Sequence, residues 1–318
     1  MGYWQSTLEN IIQPRILIIG GTGFIGHHLL KTLILKDFSV TSISLNKPTK
    51  QRFVDGVKYY TVNINVPKSC SDILNSNFHY VVNLGGYIDH KLFKDTGRDL
   101  IESHFTALQN IIEVLPRDEL RRFVQIGSSD EYGNSDSPQN ENLREQPISP
   151  YSLGKVASTH FLQMLYRTEN FPSVILRLFL TYGPGQSPSR FLPQIIRGCL
   201  NDEKFPVSAG EQLRDFCYID DTVDAIIKAL LADNINGHVI NIASGKPISI
   251  KSMIKVVNGI IAKGYPIFGE LPYRAGENMS LYANVNKSKE LLDWEPRVLV
   301  EEGLKKTINS YTNVYDRK

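Results

Sequence analysis

The sequence has few cysteines, no long apolar run and little net charge, and each shortage excludes a class of protein. Its three cysteines, Cys70, Cys199 and Cys217, are scattered without a CxxC or Cys/His spacing, which argues against a disulfide framework and against a metal site. No apolar run reaches the roughly 18 residues that a membrane-spanning helix needs. The formal net charge is only +2, so nothing in the composition points to nucleic acid or an anionic membrane as a partner.

An export signal is also not expected at the start of the chain. Residues 1–13 lack the basic start and apolar middle of a signal peptide. Together with the scattered thiols, this predicts a cytoplasmic protein. With 318 residues, of which 42% are hydrophobic, the chain is long enough for one large domain or two closely joined ones.

Short apolar segments alternate with amphipathic helical patterns through the first half of the chain. The stretch "RILIIGGTGFIGHHLLKTLILKDFSVTSISL" has the pattern of a strand, a glycine turn, a helix and a second strand, which is a βαβ unit. Further strands are expected at "HYVVNLGG", "RRFVQIGSS" and "PSVILRLF". This alternation predicts an α/β fold with a Rossmann-type, doubly wound parallel sheet.

The sequence pattern changes after about residue 180, where prolines divide the chain into shorter elements. We therefore expect residues 1–178 to form mainly a dinucleotide-binding domain and residues 179–318 mainly a smaller lobe. Some segments of about 215–245, including "GHVINIA", are expected to return to the main sheet.

A glycine-rich turn after the first strand predicts the dinucleotide site. Gly20, Gly23 and Gly26 form a GxxGxxG pattern that also contains Phe24 and Ile25. Glycines there allow a tight turn and bring backbone N–H groups and the positive end of a helix against a pyrophosphate.

The residue at the end of the second strand indicates whether the cofactor is NAD or NADP. The position where a carboxylate would bind the adenosine ribose of NAD is Ser44, which has no negative charge. Ser44 and Asn46 can donate hydrogen bonds and Lys47 can supply positive charge, so NADP(H) is favoured, with NAD(H) possible. Asn63, with Ile64 after it, is placed to meet the adenine edge, although a role in a strand-end turn fits Asn63 equally well.

A YxxxK pattern supplies the expected catalytic pair. Tyr151 and Lys155 are four residues apart in the helical pattern of "SPYSLGKVASTHFLQM", so both side chains share one face. An ammonium beside a phenol favours the phenolate and eases proton exchange with a substrate oxygen.

The ordered motifs "GGTGFIG", "NLGG", "SSDEYG", "YSLGK", "YGPGQ" and "RDFCYIDD" resemble those of the extended short-chain dehydrogenase/reductase family of nucleotide-sugar epimerases, dehydratases and reductases. The resemblance covers about residues 15–313. It implies that Ser129, with Ser128 beside it, hydrogen-bonds the reacting oxygen. It further implies that Tyr151 exchanges a proton, and that Lys155 holds the nicotinamide ribose and tunes Tyr151.

The resemblance also implies further binding residues and partners. Leu84, Gly85 and Gly86 would line the cofactor. Residues that would contact a nucleotide-diphosphate sugar are Tyr87, Leu180, Arg190, Arg214, Arg274 and Glu277. Of these, Arg214 and Arg274 would bind the diphosphate and Glu277 a ribose. A homodimer through helices near residues 100–115 and 151–168 is implied as well. The chain departs from the family pattern at His104 and Leu180, where asparagine is usual.

The spacing in "SSDEYG" separates three possible reactions. Asp130 and Glu131 match the acid/base pair of a "TDEVYG"-like dehydratase segment, but one residue is missing before Tyr132. The shorter form is most similar to GDP-4-keto-6-deoxymannose reductases and related 4-ketoreductases. We therefore expect NADPH-dependent reduction of the C4 ketone of a nucleotide-diphospho-4-keto-6-deoxyhexose, in deoxysugar or surface polysaccharide precursor synthesis. Asp130 and Glu131 would then be substrate-facing or loop-shaping.

The alternatives are a nucleotide-sugar 4,6-dehydratase, in which Asp130 and Glu131 act as acid and base, and a nucleotide-sugar epimerase. A non-catalytic dinucleotide-binding protein on the same fold is a further alternative, although such proteins typically lose the tyrosine or lysine that this chain retains.

Overall fold

The computed structural model describes residues 13–74, 76–273 and 276–315. The chain divides into two compact units. The first comprises the chain up to Gly133 together with 144–177 and 223–240, and the second comprises 134–143, 178–222 and the chain from Asn241 onward. The segment in which an export signal would be sought lies largely outside the described residues.

The first unit contains an alternating series of strands and helices. In chain order its regular elements are β1 (Arg15–Ile19), α1 (Phe24–Leu35), β2 (Ser39–Ser44), β3 (Lys58–Thr61), α2 (Ser71–Leu74), β4 (Tyr80–Asn83), α3 (Arg98–Ile101), α4 (Ala107–Val114), β5 (Arg122–Ser128), α5 (Pro150–Glu169) and β6 (Ser173–Leu178). A π-helical turn, Glu102–Thr106, joins α3 to α4, and a 3₁₀ turn, Ser129–Tyr132, follows β5.

Seven strands form one sheet in the order β10-β6-β5-β4-β1-β2-β3, with β10 at Val239–Ile242. The pairs β1–β2, β1–β4, β2–β3 and β4–β5 are parallel. The central strands carry near-continuous apolar runs because helices cover both faces of such a sheet. Leu17, Val81, Phe123 and Ile175 are fully buried in one apolar cluster with residues of α4 and α5. The predicted Rossmann-type α/β fold is therefore confirmed.

The second unit is built from shorter elements. They are β7 (Leu180–Tyr182), α6 (Phe191–Leu200), β8 (Lys204–Val207), β9 (Leu213–Tyr218), the start of α7 (Ile219–Leu231), β11 (Pro247–Ser249), α8 (Ile250–Ile261), β12 (Tyr265–Phe268), β13 (Ser280–Leu281), α9 (Asn286–Leu292) and α10 (Val300–Tyr315). Strand β9 pairs with β7, β11 and β13, and β8 pairs with β12.

Asp215 on β9 ties the second unit together. Its carboxylate accepts hydrogen bonds from the backbone N–H groups of Ser244 and Gly245 and from the Ser244 hydroxyl. These bonds satisfy a carboxylate that is fully buried. Among the described residues, no helix is both long and apolar enough to cross a bilayer.

Candidate active site

Three loops of the first unit meet at one edge of the main sheet. Strands β1, β4 and β5 are neighbours, and the printed pairs among them are parallel, so their carboxyl ends lie at the same edge. The glycine loop follows β1, the "NLGG" segment closes β4, and the "SSDEY" segment closes β5. Ligands of open parallel sheets bind outside the carboxyl ends of the strands.

The glycine loop is packed too closely for side chains. A Cβ on Gly20, whose φ is +82°, would lie 2.9 Å from the Leu84 carbonyl oxygen, and a Cβ on Gly26 would overlap the Gly20 carbonyl. The Gly23 N–H donates to the Gly20 carbonyl at 3.0 Å. Helix α1 begins directly afterwards at Phe24 and Ile25, so its positive end faces the turn. This cradle fits the pyrophosphate of a dinucleotide.

The end of β2 supports the glycine loop. The Ser44 hydroxyl accepts a hydrogen bond from the Thr22 N–H at 3.2 Å. Asn46 and Lys47, which follow it, are exposed. Arg52 lies in no recognisable motif, yet its Nη1 donates to the Thr22 carbonyl at 2.8 Å. A guanidinium therefore lies beside the loop at the end of β2.

The residues expected at the adenine edge have structural hydrogen bonds. The Asn63 Oδ1 accepts from the Asn65 N–H at 3.1 Å, which forms a turn after β3. The Ile64 carbonyl accepts from the Asn110 side chain at 3.0 Å and so joins this turn to α4.

The "NLGG" segment packs against His104. The Leu84 N–H donates to the Ile19 carbonyl at 2.9 Å, and the Gly85 N–H donates to the Asn83 Oδ1 at 3.0 Å. Gly86 has φ of +94°, and a Cβ there would overlap the His104 ring. Glycine at this position is therefore required both by conformation and by space.

His104 is neutral and its tautomer follows from its partner. Burial, together with the charge of Lys155, lowers the pKa of His104 to about 3. Its Nε2 lies 2.9 Å from the Tyr87 carbonyl, which only accepts, so Nε2 is assigned the proton. The buried Nδ1 is then an acceptor, and it has no hydrogen-bond partner among the described residues.

Tyr151 and Lys155 lie on the first turns of α5. The helix begins with Pro150, and the Ser149 hydroxyl caps it by accepting from the Ser152 N–H. The Lys155 Nζ donates to the Ile126 carbonyl at 2.8 Å and lies 6.0 Å from the centre of the Tyr151 ring. Both side chains are buried.

Burial controls the acidity of Lys155. It lowers the pKa of Lys155 to about 8, and the negative charge of Glu131 acts in the opposite direction. Lys155 is thus an ammonium at neutral pH that loses its proton more readily than an exposed lysine. Two histidine rings contact Tyr151 edge-on, with ring centres 5.0 Å away for His104 and 5.9 Å away for His90.

The "SSDEY" segment forms a 3₁₀ turn in which the two carboxylates diverge. The Ser128 hydroxyl accepts from the Asp130 N–H at 3.1 Å and caps the turn, while Ser129 is buried. The Asp130 Oδ2 lies 3.9 Å from the His90 Nε2, with 31% of the Asp130 side chain exposed. Glu131 is fully buried.

Glu131 is held by three elements. Its Oε1 accepts from the Ser128 N–H at 2.8 Å, and its Oε2 accepts from the Thr159 hydroxyl at 2.8 Å and from the Arg177 Nε at 3.0 Å. Arg177 on β6 also pairs with Glu145 at 2.6 Å and lies over the Tyr132 ring. The only sequence signal for this network was an arginine inside the apolar strand "VILRLF", since a buried arginine requires a carboxylate.

The second unit contains a separate cavity of about 620 Å³. Its walls include Leu180, Phe205, Gln212, Arg214, Tyr273 and Glu277. Arg214 and Glu277 form an ion pair there. Arg190 directly precedes α6, and Arg274 lies outside the described residues. The volume is that of a small-molecule site.

Comparison with known proteins gives one family match. The model of the NAD dependent epimerase/dehydratase family matches residues 16–243. The chain is 25% identical to the UDP-glucuronate 4-epimerase of Thermodesulfobacterium geofontis, over 92% of this chain and 94% of that protein. It is 27% identical to the dTDP-D-glucose 4,6-dehydratase of Dictyostelium discoideum, over 79% and 63%.

Among solved structures, the UDP-glucuronic acid 4-epimerase from Bacillus cereus in complex with UDP-glucuronic acid and NAD is similar, with a TM-score of 0.86 and 27% identity. The similarity covers 95% of this chain and 100% of that one.

Proposed function

Because the chain belongs to the NAD-dependent epimerase/dehydratase family of nucleotide-sugar enzymes, we propose that it catalyses hydride-linked chemistry at C4 of a nucleotide-diphosphate sugar. The observation that carries this proposal is the buried Tyr151 and Lys155 pair on α5, in the same unit as the glycine cradle. A phenol and an ammonium in this arrangement suit proton exchange with a sugar hydroxyl or alkoxide.

Each residue of the pair has a defined task in this proposal. When bound, a nicotinamide cofactor supplies or accepts the hydride. Tyr151 gives its proton to the alkoxide that forms at C4 during reduction, or takes that proton during oxidation. Lys155 stabilises the phenolate by its charge, and the Ser129 hydroxyl polarises the C4 oxygen. The glycine loop, with Phe24 and Ile25, holds the pyrophosphate.

The finer proposal is an NADPH-dependent 4-ketoreductase of a nucleotide-diphospho-4-keto-6-deoxyhexose. Two observations support it. First, the Glu131 carboxylate accepts hydrogen bonds from Arg177, Thr159 and the Ser128 N–H. Both of its oxygens are therefore occupied, and it is not available as the base of a dehydratase. Second, β2 ends in Ser44 rather than a carboxylate, and Arg52 lies beside the loop where it suits an adenosine 2′-phosphate.

The second candidate is a nucleotide-sugar 4-epimerase that uses NAD. It is favoured by the likeness to UDP-glucuronate 4-epimerases over nearly the whole chain and by the NAD in the similar Bacillus cereus structure. The same Tyr151 and Lys155 serve this reaction, because an epimerase takes a proton from the C4 hydroxyl and later returns it.

The nucleotide is proposed to bind in the cavity of the second unit. Its volume and the Arg214 guanidinium suit a nucleoside diphosphate. Arg214 would bind phosphate and Glu277 would accept from a ribose hydroxyl, with Arg190, Arg274 and Leu180 as further expected contacts. The ion pair of Arg214 with Glu277 would then rearrange when the ligand binds.

A homodimer in the cytoplasm remains part of the proposal, through α3, α4 and α5. Leu162 and Leu165 belong to the buried core and are not available to a partner. Leu153 and Met164 on α5 are exposed and suit such a contact. Light scattering of the purified protein should give twice the monomer mass, and a monomer mass would refute this assembly.

The decisive experiment follows the cofactor and the sugar together. The purified protein is given NADPH with GDP-, CDP- and dTDP-linked 4-keto-6-deoxy sugars, and in parallel UDP-glucuronate or UDP-glucose with NAD. Consumption of one NADPH per sugar supports the reductase. Interconversion of C4 epimers without net cofactor change supports the epimerase, and formation of a 4-keto-6-deoxy product indicates a dehydratase. The variant Tyr151→Phe should bind cofactor but not turn over.

A further inference from the structure

His90 packs edge-on against the buried Tyr151 and is itself half exposed. It lies in the loop after β4, with its ring centre 5.9 Å from that of Tyr151 and the two planes at 80°. Its Nε2 is 3.9 Å from the Asp130 Oδ2, and half of the His90 side chain is exposed. An imidazole beside a carboxylate thus lies between a phenol and solvent.

The other ionisable neighbours of Tyr151, Lys155 and His104, are buried. Lys155 is buried and donates to the Ile126 carbonyl. His104 is also buried, and its pKa of about 3 keeps it neutral at the pH of the cell. Neither side chain reaches water, whereas His90 does.

The loop around His90 carries two further charges. Asp89 and Lys91 flank it and pair with each other at 3.4 Å. From the packed elements, Asp130 faces His90 from the 3₁₀ turn, and Tyr151 faces it from α5. Asp130 is therefore the negative group placed to stabilise a positive charge on His90.

We propose that His90 and Asp130 form a proton-transfer pair that restores the proton of Tyr151 after each reduction. The inference rests on the proposed ketoreductase, because a reductase consumes one solvent proton per turnover and an epimerase consumes none.

The step balances as a simple proton transfer. When the C4 alkoxide takes the Tyr151 proton, the O–H bond breaks and its electron pair stays on the phenolate. An N–H bond of the His90 imidazolium then breaks, and the proton passes to the phenolate directly or across one water. The imidazole takes a new proton from solvent, and Asp130 stabilises the imidazolium that results. Nothing is oxidised or reduced in this step.

Rapid mixing separates this role from hydride transfer. Enzyme carrying NADPH starts with Tyr151 protonated, so His90→Gln should oxidise the first NADPH per subunit at the wild-type rate. Later turnovers should be slower by about 10- to 100-fold, since each one awaits the proton. Asp130→Asn should show the same burst with a smaller steady-state loss. Added imidazole should accelerate the steady state of His90→Gln but not that of the wild type.

The matched control is His160→Gln. His160 lies on α5 and, like His90, is exposed and has a carboxylate partner, Glu145, at 3.3 Å, but it has no part in the proposed chemistry. This variant should turn over as the wild type does, without a burst.

Two kinetic results would overturn the pair while leaving the reductase intact: a steady-state rate of His90→Gln equal to that of the wild type, or a first turnover slowed as much as the later ones. A wild-type protein that consumes no NADPH with any sugar would instead refute the reductase, and this inference with it. Independently of turnover, an NOE is expected between the ring protons of His90 and Tyr151 in protein labelled at those residue types. Its absence in an otherwise folded protein would also count against the pair.

Discussion

The substitution Glu131→Gln tests whether this carboxylate serves the fold or the chemistry. The change keeps the shape of the side chain and removes its charge. Both carboxylate oxygens of Glu131 accept from donors: Oε1 from the Ser128 N–H, and Oε2 from Thr159 and Arg177. A glutamine amide has a single acceptor oxygen, so in either orientation its NH₂ group faces a donor.

The loss can be estimated from the partner that is left behind. Removing one member of a buried ion pair typically costs about 3–5 kcal/mol, because the other charge stays buried without compensation. Arg177 keeps Glu145 as a partner at 2.6 Å, so we expect the lower end, about 3 kcal/mol in the free energy of unfolding.

Urea denaturation at pH 7, followed by circular dichroism, measures this loss. The control is Glu102→Gln, which removes the carboxylate of an exposed pair with Arg98 one helical turn away. A much smaller loss is expected there, because solvent screens exposed pairs. Equal stabilities of the two variants would refute the assigned role of Glu131.

Activity gives a second, independent measure. Since the charge of Glu131 raises the pKa of Lys155, its removal should move the alkaline fall in kcat to lower pH. In the wild type that fall should be centred near the Lys155 pKa of about 8, where the ammonium loses its proton. At pH 6.5 Lys155 is charged in the wild type, and we expect Glu131→Gln to lose less than about tenfold in kcat. Loss of a general base would cost about 10²–10⁴-fold at every pH, and that result in a stable variant would refute the reasoning.

Three further predictions concern other parts of the site. Lys155→Met should abolish turnover yet raise the free energy of unfolding by up to roughly 3 kcal/mol at pH 7, because folding no longer has to lower a lysine pKa from 10.5 to about 8. The difference in urea midpoint between the variant and the wild type should shrink as the pH rises from about 8 to 10.5, since the wild type gains stability as Lys155 loses its proton. Ser44→Asp should shift the ratio of kcat/KM for NADPH and NADH toward NADH by about tenfold or more, since a carboxylate repels a 2′-phosphate; an unchanged ratio would contradict the assigned cofactor contact. Gly86→Ala should lower stability by about 2 kcal/mol or more in a thermal melt, through positive φ and overlap with His104, whereas Gly185→Ala, with φ of +80° and open space, should cost less.

The fold and the centre of the candidate site could be predicted because their signals are local. Alternating apolar strands and amphipathic helices predicted the sheet, which the structure confirms. The four-residue spacing of Tyr151 and Lys155 needed only a helix to bring them to one face, and α5 supplies it. The glycine loop likewise lies within one βαβ unit.

The rest depends on contacts between distant parts of the chain. Arg177 meets Glu131 across 46 residues, and nothing in the local sequence indicates which carboxylate it pairs with. Arg52 reaches the glycine loop from a turn with no motif, 30 residues beyond Thr22. His90 meets Asp130 only because the chain crosses from the end of β4 to the end of β5. The segment 134–143 belongs to the second unit although it begins only two residues after the "SSDEY" segment.

The 3₁₀ turn at Ser129–Tyr132 has a consequence for how this site can change over evolutionary time. Three residues complete one turn of such a helix, so neighbouring side chains point about 120° apart. Glu131 therefore points into the interior, while 31% of the Asp130 side chain stays exposed beside His90. Substitutions at 130 can sample new chemistry at little cost to folding, whereas those at 131 must first survive the loss of a buried partner. Of two adjacent positions, 130 can thus vary to change the activity, whereas 131 is constrained by the stability of the fold.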